Sequence, residues 1–110
     1  MTRNREIALF CRINAGGFSG ERIAQVTLAD GSEQIVLAPR HYCWTKDGQA
    51  LTPTQPESGK PIEGIVAARL IEEAAGAAKV TTPDGEIFMV SSGTMTKRPS
   101  YSEINTNVPV

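Results

Sequence analysis

Three Asp-Gly dipeptides divide the chain, and they constrain its fold more than any other feature. They stand at Asp30-Gly31, Asp47-Gly48 and Asp84-Gly85, and each lies between segments with strand-like patterns. Asp-Gly is favoured in β-hairpins because the tight turn needs a positive φ at its centre. The sequence therefore predicts three hairpins.

The segments around these turns carry the alternating pattern of half-buried strands. Between residues 6 and 14 apolar side chains recur at every second position, which predicts a strand with one face toward the core. Shorter runs of the same kind lie at residues 21–28, 34–38, 77–82 and 86–90. We expect Cys11 to be buried, because it shares the inward face of the first run with Ile7, Leu9 and Ile13.

The composition also favours strands. Val and Ile together number 16 against five Leu, and with ten Thr the chain is rich in β-branched side chains, which pack well on pleated sheets. A chain of 110 residues suits one small core. We therefore predict an all-β fold, a small antiparallel barrel or sandwich comparable in size to SH3-like barrels, because closure removes exposed strand edges. We detect no internal repeat of fixed period.

The domain is predicted to span residues 1–92. Residues 93–110 contain mostly Gly, Thr, Lys, Arg, Pro, Ser and Asn with isolated apolar side chains and no period, which predicts a flexible C-terminal tail.

The segment 62–75 can be interpreted in two ways. Its alanines, and a glycine after Glu72-Glu73, would suit a helix and so an α+β architecture. A helix, however, would place Arg69 and Glu73 inside its apolar arc, whereas a strand gives one face without charge. We prefer the strand and keep a helix at 62–75 as the main alternative.

The charge balance indicates no class of partner. Eleven Lys and Arg against twelve Asp and Glu give a formal net charge of −1, which supplies no overall field toward nucleic acid or an anionic membrane. The apolar stretch at residues 7–11 is too short for a signal-peptide core, and no segment approaches a membrane span. We therefore expect a cytoplasmic protein with two reduced cysteines, no membrane association and no cofactor.

The densest group of chemically distinctive side chains is the run Arg40-His41-Tyr42-Cys43-Trp44. It holds the only His, the only Trp, one of two Tyr and one of two Cys. Arg offers planar hydrogen-bond donors, and aromatic side chains are enriched at protein interfaces. With the glycine-rich segment at residues 16–20, this run predicts a binding surface. Its members are Phe18, Arg22, Arg40, Tyr42 and Trp44.

A catalytic and a metal-binding arrangement compete with this surface. In an extended strand His41 and Cys43 would share a face and could form a thiolate–imidazolium pair, yet no third residue is marked to orient the His. A zinc site made of Cys11, His41 and Cys43 would lack a fourth ligand and the close cysteine spacing of structural zinc. We therefore predict neither catalytic residues nor a metal site.

Three classes of function follow. A non-catalytic protein-interaction module is the leading hypothesis, in which a small barrel presents aromatic and Arg side chains to a partner. The alternative is a nucleic-acid-binding or ribosome-associated barrel, whose aromatic side chains would stack on bases. The third class is a small enzyme that uses Cys43 and His41.

Overall fold

The chain is built almost entirely of antiparallel strands. The structure, a computed structural model, describes residues 5–99. Its eight strands are β1 (Arg5–Ala15), β2 (Glu21–Thr27), β3 (Glu33–Pro39), β4 (Cys43–Thr45), β5 (Ile62–Ala74), β6 (Ala77–Thr81), β7 (Ile87–Ser91) and β8 (Met95–Thr96). Short 3-10 helices, Arg40–Tyr42 and Ser92–Thr94, precede β4 and β8. The predicted all-β class is confirmed. No helix in the described part of the chain is long and apolar enough to cross a membrane.

The strands form one curled sheet, a half-barrel. Six of them follow the order β3-β2-β1-β5-β6-β7, while β4 pairs with β5 and β8 pairs with β1. The centre is the β1–β5 ladder, which runs from Arg5 opposite Leu70 to Ile13 opposite Ile62. Because β1 and β5 are the longest strands, each has room for two partners along its outer edge.

Residues 62–74 form strand β5, so the preferred interpretation of this segment is confirmed and the helix is not formed. Gly64, Val66, Ala68 and Leu70 are buried on the inner side, as the alternation predicts. Ile65 on the opposite side is also buried, because it packs against Trp44. Burial on both faces explains why this strand is rich in small apolar residues and resembles a helix in sequence.

All three predicted Asp-Gly hairpins are present and share one hydrogen-bonding scheme. In each turn the glycine N–H donates to the carbonyl of the residue three positions earlier. The N–H of that same earlier residue donates to the carbonyl of the residue that follows the glycine. The N···O distances are 2.7–3.0 Å. Only the glycines have a positive φ, between 85° and 88°. The turns are therefore three-residue loops, a type I turn closed by a left-handed glycine.

A fourth hairpin, between β5 and β6, carries no such sequence signal. Ala74 pairs with Ala77, and the two residues between them, Ala75 and Gly76, have φ values of 54° and 81°. Two successive positive φ angles define a two-residue turn whose twist suits a hairpin. Alanine is a costly residue at the first of these positions, because its Cβ crowds the backbone there.

Two hydrophobic clusters lie on opposite sides of the central strands. The larger one fills the concave inner side of the sheet and includes Leu9, Ile13, Val66 and Val80, all fully buried. The smaller one lies on the outer side and consists of Ala8, Trp44, Ile65 and Ala67. Cys11 is half-buried against the larger cluster, so it faces inward as predicted but is less enclosed than its neighbours.

One short segment of the first half recurs in the second half, although the sequence has no repeat of fixed period. Residues 24–36 and 78–90 are related by an offset of 54 positions. The identical pairs are Ala24/Ala78, Val26/Val80, Thr27/Thr81, Asp30/Asp84, Gly31/Gly85 and Val36/Val90. The Ala and Val members of this set are fully buried in both copies. The repeat thus preserves a hairpin and the side chains under it.

Each half has the same order of elements: a long strand, a hairpin, a 3-10 helix and a short fourth strand. The fourth strands are exchanged, because β4 pairs with β5 in the second half and β8 pairs with β1 in the first. Neither half can complete its sheet without the other. The two halves therefore share one sheet.

Part of the segment predicted as a tail belongs to the sheet. Met95 pairs with Leu9 through β8. The Arg98 guanidinium then donates to the carbonyls of Ile7 at 3.2 Å and Ala68 at 2.8 Å, and forms an ion pair with Glu6 at 2.8 Å. These contacts attach the chain to the sheet as far as Arg98. The rest of the predicted tail, residues 100–110, lies outside the described residues.

Candidate functional site

The glycine-rich segment at residues 16–20 displays Phe18, but Arg22 lies beneath it. Phe18 is 77% exposed, the highest value among the large apolar side chains of the described residues. Arg22 is only 3% exposed. Its guanidinium donates to the carbonyls of Ser19 and Glu21 at 2.7 Å, Gln55 at 2.7 Å and Pro53 at 3.0 Å. Arg22 therefore ties two loops together and does not belong to an exposed surface.

The remaining predicted binding residues are also separated by the fold. Trp44 is 3% exposed and packs in the outer cluster, so its ring is not offered to a partner. Arg40 donates to the carbonyl of Leu51 at 2.8 Å. Tyr42 is on the surface, with the Arg98 guanidinium carbon 6.0 Å from its ring centre. Only Phe18 and Tyr42 are exposed aromatic members of the predicted surface.

The environment of Cys43 does not favour a nucleophile. Residues 40–42 form a 3-10 helix, and strand β4 begins only at Cys43. His41 is therefore not in the extended strand that would place it on the same face as Cys43. The His41 ring lies against Tyr42, with 4.4 Å between ring centres, at the surface, whereas Cys43 is fully buried. Burial raises the pKa of the Cys43 thiol to about 12, although the nearby Arg22 charge partly opposes this. The thiol is therefore protonated near neutral pH.

Cys11, His41 and Cys43 are the candidate zinc ligands of the sequence, and no metal site is predicted from them. Within residues 5–99, no group of three or more His, Cys, Asp or Glu side chains is placed to hold a metal ion. Both cysteines are free thiols. Burial also raises the pKa of Cys11, and the neighbouring Cys43 adds to this shift.

A groove of about 580 Å³ opens on the outer side where β2 diverges from β1. Phe10 and Arg12 line its floor, and Glu33 lines one wall. On the other wall Lys46 and Glu63 form an ion pair at 3.9 Å between exposed side chains, an arrangement of little energetic value. The mixed charges of the groove do not select one class of ligand.

Two hydrogen bonds join the hairpins that carry the edge strands β3 and β7, the two ends of the six-strand path. The Ala29 N–H in the first Asp-Gly turn donates to the Met89 carbonyl at 2.9 Å. Asp84 in the third turn accepts a bond of 3.0 Å from the Leu37 N–H. Each turn is therefore bonded to the opposite edge strand, and these two hydrogen bonds form the seam. In the repeat Pro83 stands in place of Ala29 and has no N–H, so the Asp84 carboxylate makes the connection instead.

Four exposed apolar side chains flank this seam, and we call them the apolar stripe: Ile35 and Leu37 of β3, and Ile87 and Met89 of β7. They are 44–58% exposed. Single exposed apolar residues are ordinary on protein surfaces, but a group of them indicates an interaction site. The tertiary structure therefore assembles an apolar surface different from the predicted one.

Carboxylates surround the apolar stripe. Asp30 and Glu33 lie in or beside the first turn, and Asp84 and Glu86 lie in the third. All four residues are exposed. Two hydrogen bonds from Ser32, one from its hydroxyl and one from its N–H, hold the pKa of Asp30 below its usual value. The ends of the stripe are therefore negatively charged at neutral pH.

Comparison of this chain with models of protein families, with curated proteins and with solved structures gives no match. The candidate site is accordingly defined by its own geometry.

The apolar stripe was missed at the sequence level although a signal is present. Residues 35–38 and 87–90 are apolar at every position, so both faces of each strand carry apolar side chains. Such runs are typical of central strands that are buried on both sides. Here they occur in the two edge strands, and only the strand order shows that one face of each is exposed.

Proposed function

We propose that this protein is a non-catalytic interaction module that binds a partner protein through the apolar stripe. The observation that carries the proposal is the exposure of Ile35, Leu37, Ile87 and Met89 on the two edge strands that the seam joins. Neighbouring apolar side chains on a fixed framework can be desolvated together when a partner binds. We propose the cytoplasm as its compartment, where the free thiols would stay reduced.

The surrounding charge indicates the chemistry of the partner. Carboxylates of Asp30, Glu33, Asp84 and Glu86 lie at the ends of the stripe, and Lys79 is the nearby cation, paired with Met89 across β6 and β7. An acidic border favours a complementary basic surface and disfavours an acidic one. We therefore commit to a partner segment that is apolar at its centre and carries Lys or Arg at both ends.

Binding would use side chains more than backbone pairing. Edge strands often recruit a further strand through free N–H and C=O groups. Here the Leu37 N–H and the Met89 carbonyl are already used across the seam. An added strand would have to break these bonds, so the partner is expected to lie over the outer face of the stripe.

A peptide pair of opposite charge tests the proposal. One fluorescent peptide has an alternating Val-Thr centre with two Lys at each end, and the other has Glu in place of Lys. We expect the Lys peptide alone to bind, by fluorescence anisotropy at low salt. The double variant Ile35→Thr/Met89→Thr should weaken this binding by about tenfold, the effect of losing about 1.4 kcal/mol of contact energy. Threonine keeps the β-branched character that suits the strands.

Phe18→Ser provides the matched control, because Phe18 is an exposed apolar residue outside the stripe. It should leave binding unchanged. Loss of binding in this variant, with no loss in the stripe variant, would move the contact surface to the glycine-rich segment and overturn the proposal. Sedimentation of the free protein tests whether it forms a dimer. A dimer that the stripe variant dissociates would mean that a second copy occupies the stripe.

A further inference from the structure

The three Asp-Gly turns have the same backbone scheme but differ in what holds the aspartate carboxylate. Asp30 accepts hydrogen bonds from the N–H and the hydroxyl of Ser32, at 2.9 and 2.6 Å. Asp84 accepts one from the Leu37 N–H at 3.0 Å and another from the Thr82 hydroxyl. Both carboxylates are therefore held in a fixed orientation.

Asp47 differs from these two. Among residues 5–99 no side chain or N–H forms a hydrogen bond or an ion pair with its carboxylate, and the residue is exposed. Its hairpin is also the least extensive of the three, because β4 has three residues and beyond the turn only the isolated bridge between Trp44 and Ala50 joins the two arms. The Asp47-Gly48 turn is thus the one whose side chain is free to rotate and whose backbone opens most easily.

We propose that Asp47-Gly48 is the site at which this protein undergoes spontaneous isomerisation to isoaspartate. The backbone nitrogen of Gly48 attacks Cγ of Asp47 and forms a new C–N bond. The nitrogen gives up its proton, the carboxyl group loses its hydroxyl, and one water leaves as a five-membered succinimide closes. Water then adds to either carbonyl of the ring, which opens to aspartate or to isoaspartate. The net reaction is an isomerisation that needs no oxidant or other reactant.

Hydrogen bonding explains why the other two turns are protected. Ring closure requires the carboxyl carbon to rotate toward the glycine nitrogen, and it proceeds through the neutral acid because hydroxide must leave as water. Donors that hold the carboxylate in place oppose both steps, and the lowered pKa of Asp30 agrees with this. The glycine N–H makes the same bond in all three turns, so it does not distinguish them.

Isomerisation would alter the local fold. Isoaspartate adds one carbon to the main chain, so the two backbone bonds that Thr45 makes across the turn, to Gly48 and Gln49, could not both keep their geometry. The damage would remain near β4, the strand that carries Trp44. An isoaspartate-specific methyltransferase, which uses S-adenosylmethionine, would then recognise the altered residue as a substrate.

The test is ageing of the full-length protein at neutral pH and 37 °C, in buffer and in concentrated urea. Isoaspartate is measured by peptide mapping and by methylation with the methyltransferase. In urea the three sites should react at similar rates. In buffer Asp47 should react about fivefold or more faster than Asp30 or Asp84, the effect of one hydrogen bond of ordinary strength.

Two variants make the comparison specific. Asp47→Glu should abolish the main product, because a glutamate ring closes far more slowly, and it should leave the fold intact at this exposed turn. Ser32→Ala removes the hydroxyl donor to Asp30 and should raise the rate there. Equal rates at the three sites in buffer, or faster reaction at Asp30 or Asp84, would overturn the proposal. Protection of all three sites in buffer would overturn it as well.

Discussion

Replacing Arg22 with alanine should destabilise the fold strongly, although Arg22 resembles a binding residue in the sequence. A guanidinium has five N–H donors. In this protein four of them bond to carbonyls, those of Ser19, Glu21, Pro53 and Gln55, at 2.7–3.0 Å. These bonds connect the segment before β2 with the loop between β4 and β5. Arg22→Ala would leave these four carbonyls without the guanidinium donors and remove the connection.

The size of the effect follows from the burial of the group. A hydrogen bond to a charged group contributes about 1.5–3 kcal/mol in net terms, but desolvation of the guanidinium offsets part of four such bonds. If about half of their summed contribution is offset in this way, the loss comes to about 3–6 kcal/mol, a large share of the ~5–15 kcal/mol that stabilises a typical domain. At about 4 °C per kcal/mol for a domain of this size, we expect Tm to fall by more than about 12 °C.

Urea unfolding followed by tryptophan fluorescence measures this loss. Trp44 is the only tryptophan and is 3% exposed, so its emission should report global unfolding. The midpoint should fall while the slope of free energy against urea stays constant. Arg22→Lys should be intermediate, because an ammonium lacks the planar fork. Arg12→Ala, at an exposed position, is the matched control and should change the free energy of unfolding by less than about 0.5 kcal/mol.

A loss below about 1 kcal/mol in Arg22→Ala would refute this reasoning. It would mean that the four carbonyls find other donors or water, and that the two loops do not depend on the guanidinium. If Arg22→Ala does not fold, the lysine variant still gives a measurable value.

Two further predictions concern strain and thiol chemistry. Ala75→Gly should raise the free energy of unfolding by about 0.5–1 kcal/mol, because glycine removes the penalty of φ 54°; urea unfolding checks this, with Ala77→Gly in β6 as a destabilising control. Burial raises the pKa of Cys43 to about 12, so a thiol reagent at pH 8 should modify it only when the fold opens. The modification rate at pH 8 should therefore be far lower in the native protein than in urea, and fast native labelling at pH 8 would contradict the burial.

Local sequence patterns predict most of the strands and turns of this protein. The Asp-Gly turns and the alternation through Leu9 and Ile13 predict the strands and three hairpins, because turn conformation and strand facing depend on residues within a few positions of each other. The same local pattern decides the ambiguous segment, since a strand keeps Arg69 away from the core face. Local signals did not identify the turn at Ala75, because alanine is not a residue that favours positive φ.

The surface was decided by the order in which the strands assemble. Trp44 and Arg22 have the residue types of a binding site, yet β5 covers the first and two loops enclose the second. Ile35 and Met89 look like core residues in the sequence, yet they lie on edge strands and face outward.

By itself, the sequence determined where most of the strands and the three Asp-Gly turns lie and which side chains of a strand point to the same face, since these depend on neighbours along the chain. The tertiary structure alone decided which strands became edges, how β4 and β8 exchanged between halves, and which apolar faces stayed uncovered. These features depend on contacts between residues far apart in the chain. Burial of a side chain is a property of what packs over it, and no residue type records that by itself.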